Sequence, residues 1–186
     1  DEMPFHGWES VTVPGAGLAW VAVSERFGKL PFADLFAPAI ALAENGFLVS
    51  PKIATLWARA AEQLSDQPGF SETFLRNGKA PAAGTRFRNV PLARTLQLIA
   101  ETKGRAFYEG ELAQAITSFA AEHGAALSME DMTAHQADWC GTISRSFAGT
   151  TLHEIPPNGQ GIAALMGLCI LEHTKVCDLD ADNPLA

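Results

Sequence analysis

The spacing of the apolar residues changes along this chain, and that change limits its fold more than any other feature. Over several stretches between about residue 14 and about 135, apolar side chains return every three or four positions, the spacing of one face of an α-helix. Phe32, Leu35, Phe36, Ala39, Ile40 and Ala43 make one stripe. Leu92, Leu96, Ile99 and Ala100 make a second, and Leu112, Ala115, Ile116, Phe119 and Ala120 a third. Ile143–Phe147 and Thr151–Ile155 then look like two short strands around Ala148-Gly149-Thr150, a hairpin signal. Ile162, Leu165, Met166 and Cys169 restore the helical stripe. The order is many helices, one hairpin, one helix: a predominantly helical α+β fold with one C-terminal β-hairpin. A lone hairpin is marginally stable in water, so this one needs a helix or further strands to pack on.

Start and stop residues divide the helical part. Pro14 to Gly17 opens a helix that runs to about Phe27, with Gly28 placed to cap it in the left-handed conformation. Pro38 interrupts the next stripe, so a kink or a fresh helix start belongs there, and Gly46 closes it. Ser50-Pro51 reads as an N-cap with proline in the first turn of a helix that reaches about Leu64. The stretch from Asp66 to Arg88 is rich in Gly, Pro and polar residues and reads as loop, long enough to hold local structure of its own. Asn89-Val90-Pro91 starts the next helix, which Gly104 ends, and Gly110 and Gly124 bracket another. Ser128-Met129-Glu130-Asp131 resembles a capping box with Asp in the place of Glu or Gln. Pro156-Pro157-Asn158-Gly159-Gln160-Gly161 is a turn into the last helix, and Asp178 to Ala186 has no clear pattern.

Composition excludes several classes of function. The formal net charge is −8 and no Lys/Arg run is present, which argues against nucleic acid as a partner. No apolar run approaches the length of a membrane span, and Asp1–Ser10 has neither the basic start nor the apolar stretch of a signal peptide. Cys140, Cys169 and Cys177 are odd in number and lack CxxC spacing, so a disulfide framework or zinc site is not expected. Cys169 lies on an apolar stripe and reads as a buried small hydrophobe.

The residues that could carry chemistry each have a plainer reading. Thr150-Thr151-Leu152-His153 could be read as the nucleophile, or as a polar turn leading into a strand; the strand is favoured. His6, His123, His135, His153 and His173 never recur at a metal-ligand spacing. Glu130 and Asp131 could be an acid–base pair, but carboxylates at a helix start are stabilised by the helix dipole. Gly15-Ala16-Gly17 lacks the further glycine and lysine of phosphate-binding loops. Trp8, Trp20, Trp57 and Trp139 read as core or interface residues, and Arg145 as a solvated strand residue rather than a carboxylate ligand. No catalytic, substrate-binding or metal-ligating residue is therefore assigned, and no cofactor.

Several segments resemble the γ-glutamyltranspeptidase large subunit in order and spacing. They are Val13-Pro14-Gly15-Ala16; Glu25 through Phe32; Ala37-Pro38-Ala39-Ile40 through Glu44-Asn45-Gly46-Phe47; Leu92-Ala93-Arg94-Thr95-Leu96; Phe107-Tyr108-Glu109-Gly110; Leu127 through Met132; and Pro156-Pro157 through Gly161-Ile162 with Ile170-Leu171-Glu172. Together they span nearly the whole chain. The resemblance implies a segment of a four-layer αββα N-terminal-nucleophile hydrolase, whose precursor cleaves itself to expose a threonine that attacks a γ-glutamyl or related amide. It also implies that this threonine and the oxyanion donors lie downstream of Ala186, and that the arginine holding the substrate carboxylate lies upstream of Asp1. By that reading residues 1–186 form a single partial domain, with a helical part at about 14–135 and the hairpin and last helix at about 139–174. Its partners would be the small subunit and the other large-subunit segments of the same precursor, with self-association of the isolated chain. Family members are often periplasmic or secreted. The best-known members read P-P-P-S-S-G-G before the last helix. The Pro156–Gly161 segment departs from that and resembles family branches that include acylases. The alternative is a non-catalytic helical interaction module or a degenerate relative.

Overall fold

The computed structural model describes residues 4–156, 158–180 and 182. Pro157 and the last four residues lie outside the described residues, as does the side chain of Cys177. The chain divides into two compact units, residues 1–137 and 138–186.

The first unit is helical. Its elements are α1 (Ala16–Phe27), α2 (Ala37–Asn45), β1 (Phe47–Leu48), α3 (Pro51–Leu64), α4 (Phe70–Phe74), β2 (Arg86–Phe87), α5 (Val90–Thr102), α6 (Arg105–Tyr108), α7 (Glu111–Glu122) and α8 (Met129–Ala134). Short 3-10 turns cover Trp8–Ser10 and Phe32–Phe36. Pro38 marks a fresh start: the 3-10 turn gives way to α2, with the proline in its first turn, where its missing N–H leaves no bond unmade. Ser50 caps α3 by accepting from the Ile53 N–H at 3.4 Å, and Asn89 caps α5 by accepting from the Leu92 N–H at 3.0 Å. At the other end of α7, Gly124 takes φ +73°. That lets the Ala125 N–H reach the Ala120 carbonyl and its own N–H reach the Ala121 carbonyl, a Schellman closure.

One helix end differs from expectation. Gly28 is extended (φ −68°, ψ 146°), not left-handed. Glycine suits that position for lack of room, since a Cβ there would stand 2.3 Å from the Ser24 carbonyl oxygen. At the end of α5 the left-handed cap is Lys103 (φ 50°), with Gly104 following it at φ 79°.

The expectation of a single hairpin is also corrected. β1 and β2 form a second antiparallel ladder, Phe47 opposite Phe87 and Leu48 opposite Arg86. Two-residue strands show no periodicity, so this pairing had no sequence signal. It closes the Asp66–Arg88 stretch onto the end of α2. Phe87 is buried there, its ring 4.6 Å from that of Trp57.

Two buried clusters form the core of this unit. Phe32, Phe36, Ile99 and Ala100 make the first, with Val21, Ile40 and Leu96 packed on it. Tyr108, Ala113 and Met132 make the second, with Val13, Leu18 and Ile116 around it. Phe107 touches both clusters and joins α5, α6 and α7 into one interior.

The second unit holds β3 (Ile143–Phe147), β4 (Thr150–Glu154) and α9 (Gly161–Leu171), followed by a 3-10 turn at Val176–Asp178. The strands pair antiparallel from Ile143 opposite Glu154 to Phe147 opposite Thr150, so β4 begins and ends one residue earlier than expected. The turn is Ala148-Gly149, both at positive φ (46° and 78°), the two-residue form whose twist suits a hairpin. α9 lies on the face that carries Ile143, Arg145 and Phe147. Within α9 Leu165 is buried, while Cys169 is half-buried rather than buried. None of the four tryptophans is fully buried either; Trp20 and Trp139 are about half exposed, at 48% and 53%.

Candidate functional site

Tyr108 organises the start of α1. Its hydroxyl donates to the Pro14 carbonyl at 2.5 Å and accepts from the Leu18 N–H at 3.3 Å. Gly15, at the N-cap, has no side chain to satisfy that N–H, so a residue ninety-three positions later in the sequence does so. The His135 ring stacks on Tyr108, with centroids 5.9 Å apart, and its Nε2 would meet a Cβ on Gly15 at 2.8 Å. A Cβ on Gly17 would meet the Tyr108 oxygen at 3.1 Å. The segment Val13-Pro14-Gly15-Ala16-Gly17 is therefore shaped by close approach of two rings. Burial pushes the Tyr108 phenol up from its ordinary range; the bonds with the backbone at Leu18 and Gly17 oppose that shift.

Glu130 and Asp131 sit at the start of α8. Asp131 and Ser128 complete a capping box: the carboxylate accepts from the Ser128 N–H at 2.8 Å, and Ser128 Oγ accepts from the Asp131 N–H at 3.2 Å. The Ser128 hydroxyl, then its backbone N–H, hold the Asp131 carboxyl below the usual range. The Asp131 carboxylate is thus engaged in the start of its own helix, and Glu130 beside it is exposed.

In the second unit Thr151 Oγ1 lies 2.9 Å from Ser146 Oγ, across the ladder. His153 Nδ1 lies 3.2 Å from Thr142 Oγ1, a pair the sequence did not suggest, because Thr142 precedes the strand by one residue. Neither pair has the surroundings of an activated nucleophile. Both are exposed, and no carboxylate orients the His153 ring among the described residues. Arg145 is not a free strand residue: it pairs with Glu172, just past the end of α9, and ties β3 to that helix. His6, His123 and His173 stay exposed. Among the described residues no three His, Cys, Asp or Glu side chains gather where a metal ion could bind.

Apolar surface is what the chain presents in quantity. In α9, Ile162, Met166, Ile170 and Leu171 are exposed, and Leu152 and Ile155 are exposed beside the hairpin. In the first unit, α1, the Phe32–Phe36 turn and α2 border an open groove of about 610 Å³ lined by Trp20, Val23, Phe27, Leu35 and Phe36. A helix that is apolar all round belongs in an interior. The described residues thus present extended apolar faces on both units.

The pattern common to the family described as Gamma-glutamyltranspeptidase matches residues 1–185, and the chain belongs to that family. Over 172 residues it is 40% identical to the Glutathione hydrolase-like YwrD proenzyme of Bacillus subtilis, covering 92% of this chain and 33% of that protein. The Oxamate amidohydrolase proenzyme of Klebsiella pneumoniae is 36% identical over 176 residues, again 92% of this chain and 33% of the relative. Among solved structures, a cephalosporin acylase from Bacillus halodurans superposes with a TM-score of 0.88 at 41% identity, covering 93% of this chain and 33% of its own. The γ-glutamyltranspeptidase of Helicobacter pylori, at 24% identity, shares the fold with a TM-score of 0.91 over 98% of this chain and 53% of its own. The chain thus spans about a third of the length of the curated relatives just named.

Proposed function

We propose that this chain is the helical scaffold of the large subunit of an amide-cleaving, acyl-transferring proenzyme, within a four-layer αββα N-terminal-nucleophile fold. In this reading residues 1–186 form one partial domain of that subunit. One observation carries it. A family match over residues 1–185 falls on only a third of relatives that are themselves named proenzymes. The exposed apolar side of α9 and the open edges of the two-stranded β3–β4 sheet are further support, since both suit contact with other segments of the precursor.

The chemistry of such a proenzyme needs no cofactor. An N-terminal threonine, outside this chain, attacks the amide carbonyl; its own α-amine accepts the hydroxyl proton and passes it to the departing amine. The resulting ester is resolved by water or by an acceptor amine. Relatives carry the names glutathione hydrolase, oxamate amidohydrolase and acylase, which supports amide cleavage here with the acyl group left open. The Pro156–Gly161 turn, unlike P-P-P-S-S-G-G, favours the amidohydrolase or acylase side of that range over strict γ-glutamyl transfer.

The purified chain is expected to release no product from a γ-glutamyl anilide or a glutaryl amide above a heat-inactivated control. A longer chain from the same gene should cleave itself and gain that activity. Turnover by the chain alone, lost in Thr151→Ala, would overturn the proposal.

A further inference from the structure

We draw no further inference here: the strongest candidate, the open apolar groove of about 610 Å³ that Trp20, Val23 and Phe27 of α1 form with Leu35 and Phe36, carries nothing because nothing in the structure shows what covers it.

Discussion

Replacing Tyr108 by phenylalanine keeps the ring in the core and deletes only the hydroxyl that bonds Pro14 and Leu18. The Leu18 N–H then loses its partner. A net loss of about 1–2 kcal/mol is expected, read as a lower midpoint in urea unfolding with an unchanged slope. The same variant tests a pH effect. Because the folded phenol titrates above its unfolded value, its contribution is full below about pH 10 and fades as pH rises through the folded value. Wild-type stability should therefore fall on the alkaline side more steeply than that of Tyr108→Phe. Gly28 and Gly124 separate two reasons for a glycine. Gly28→Ala forces a Cβ against the Ser24 carbonyl, where backbone has to move, while Gly124→Ala meets open space and only the strain of φ +73°. The alanine at 124 should cost about 1 kcal/mol, and the alanine at 28 should lower the thermal midpoint further.

Single elements can be tested through their ends. Ser128→Ala removes the hydroxyl half of the capping box on α8 and should destabilise by about 1 kcal/mol. It should also return the Asp131 carboxyl toward its ordinary titration range, followed by NMR of that side chain. The sign is that of a depressed carboxylate. The box contributes fully above about pH 4 and is lost as pH falls through the folded value, so Asp131→Asn should flatten that acid limb. In the hairpin, Ala148 holds φ 46°, a conformation asparagine tolerates better. Ala148→Asn should stabilise the second unit by a few tenths of a kcal/mol, up to about 1, by matching the Asn-Gly preference of this turn. No change, or a loss, in thermal midpoint would mean the turn is not held in that form in solution.

At the scale of the molecule, exposed apolar surface governs behaviour in solution. Ile162, Met166 and Ile170 of α9 are each exposed by more than 40%. Covering such surface yields about 25 cal/mol per Å² before the cost of association, so a few hundred Å² is worth several kcal/mol. The purified chain is therefore expected to self-associate as concentration rises, seen as growing mass in light scattering. Met166→Glu combined with Ile170→Glu should restore a monomer while leaving helical circular dichroism unchanged. A strict monomer at high concentration in the unaltered chain would count against faces made to be covered.

Local signals decided most of the helical layout. Ser50, Asn89, Ser128 and Pro38 mark their helix starts in sequence because capping and proline geometry depend on residues one to three positions apart. Alternation over a few residues likewise placed the hairpin to within one residue. Tertiary structure alone decided what depends on distant partners. The β1–β2 ladder joins segments about forty residues apart. Arg145 meets Glu172, His153 meets Thr142, and Tyr108 satisfies the start of α1, none of them through spacing that a periodic pattern records. Gly28 differs from these: its constraint is local, the Ser24 carbonyl one helical turn back, rather than the left-handed dihedral that its place after a helix suggested. The sequence by itself determined the family and the longer helices, because both rest on short-range order, while the short α4 and α6 carried no periodic signal and the surroundings of each tempting side chain were decided only by the fold.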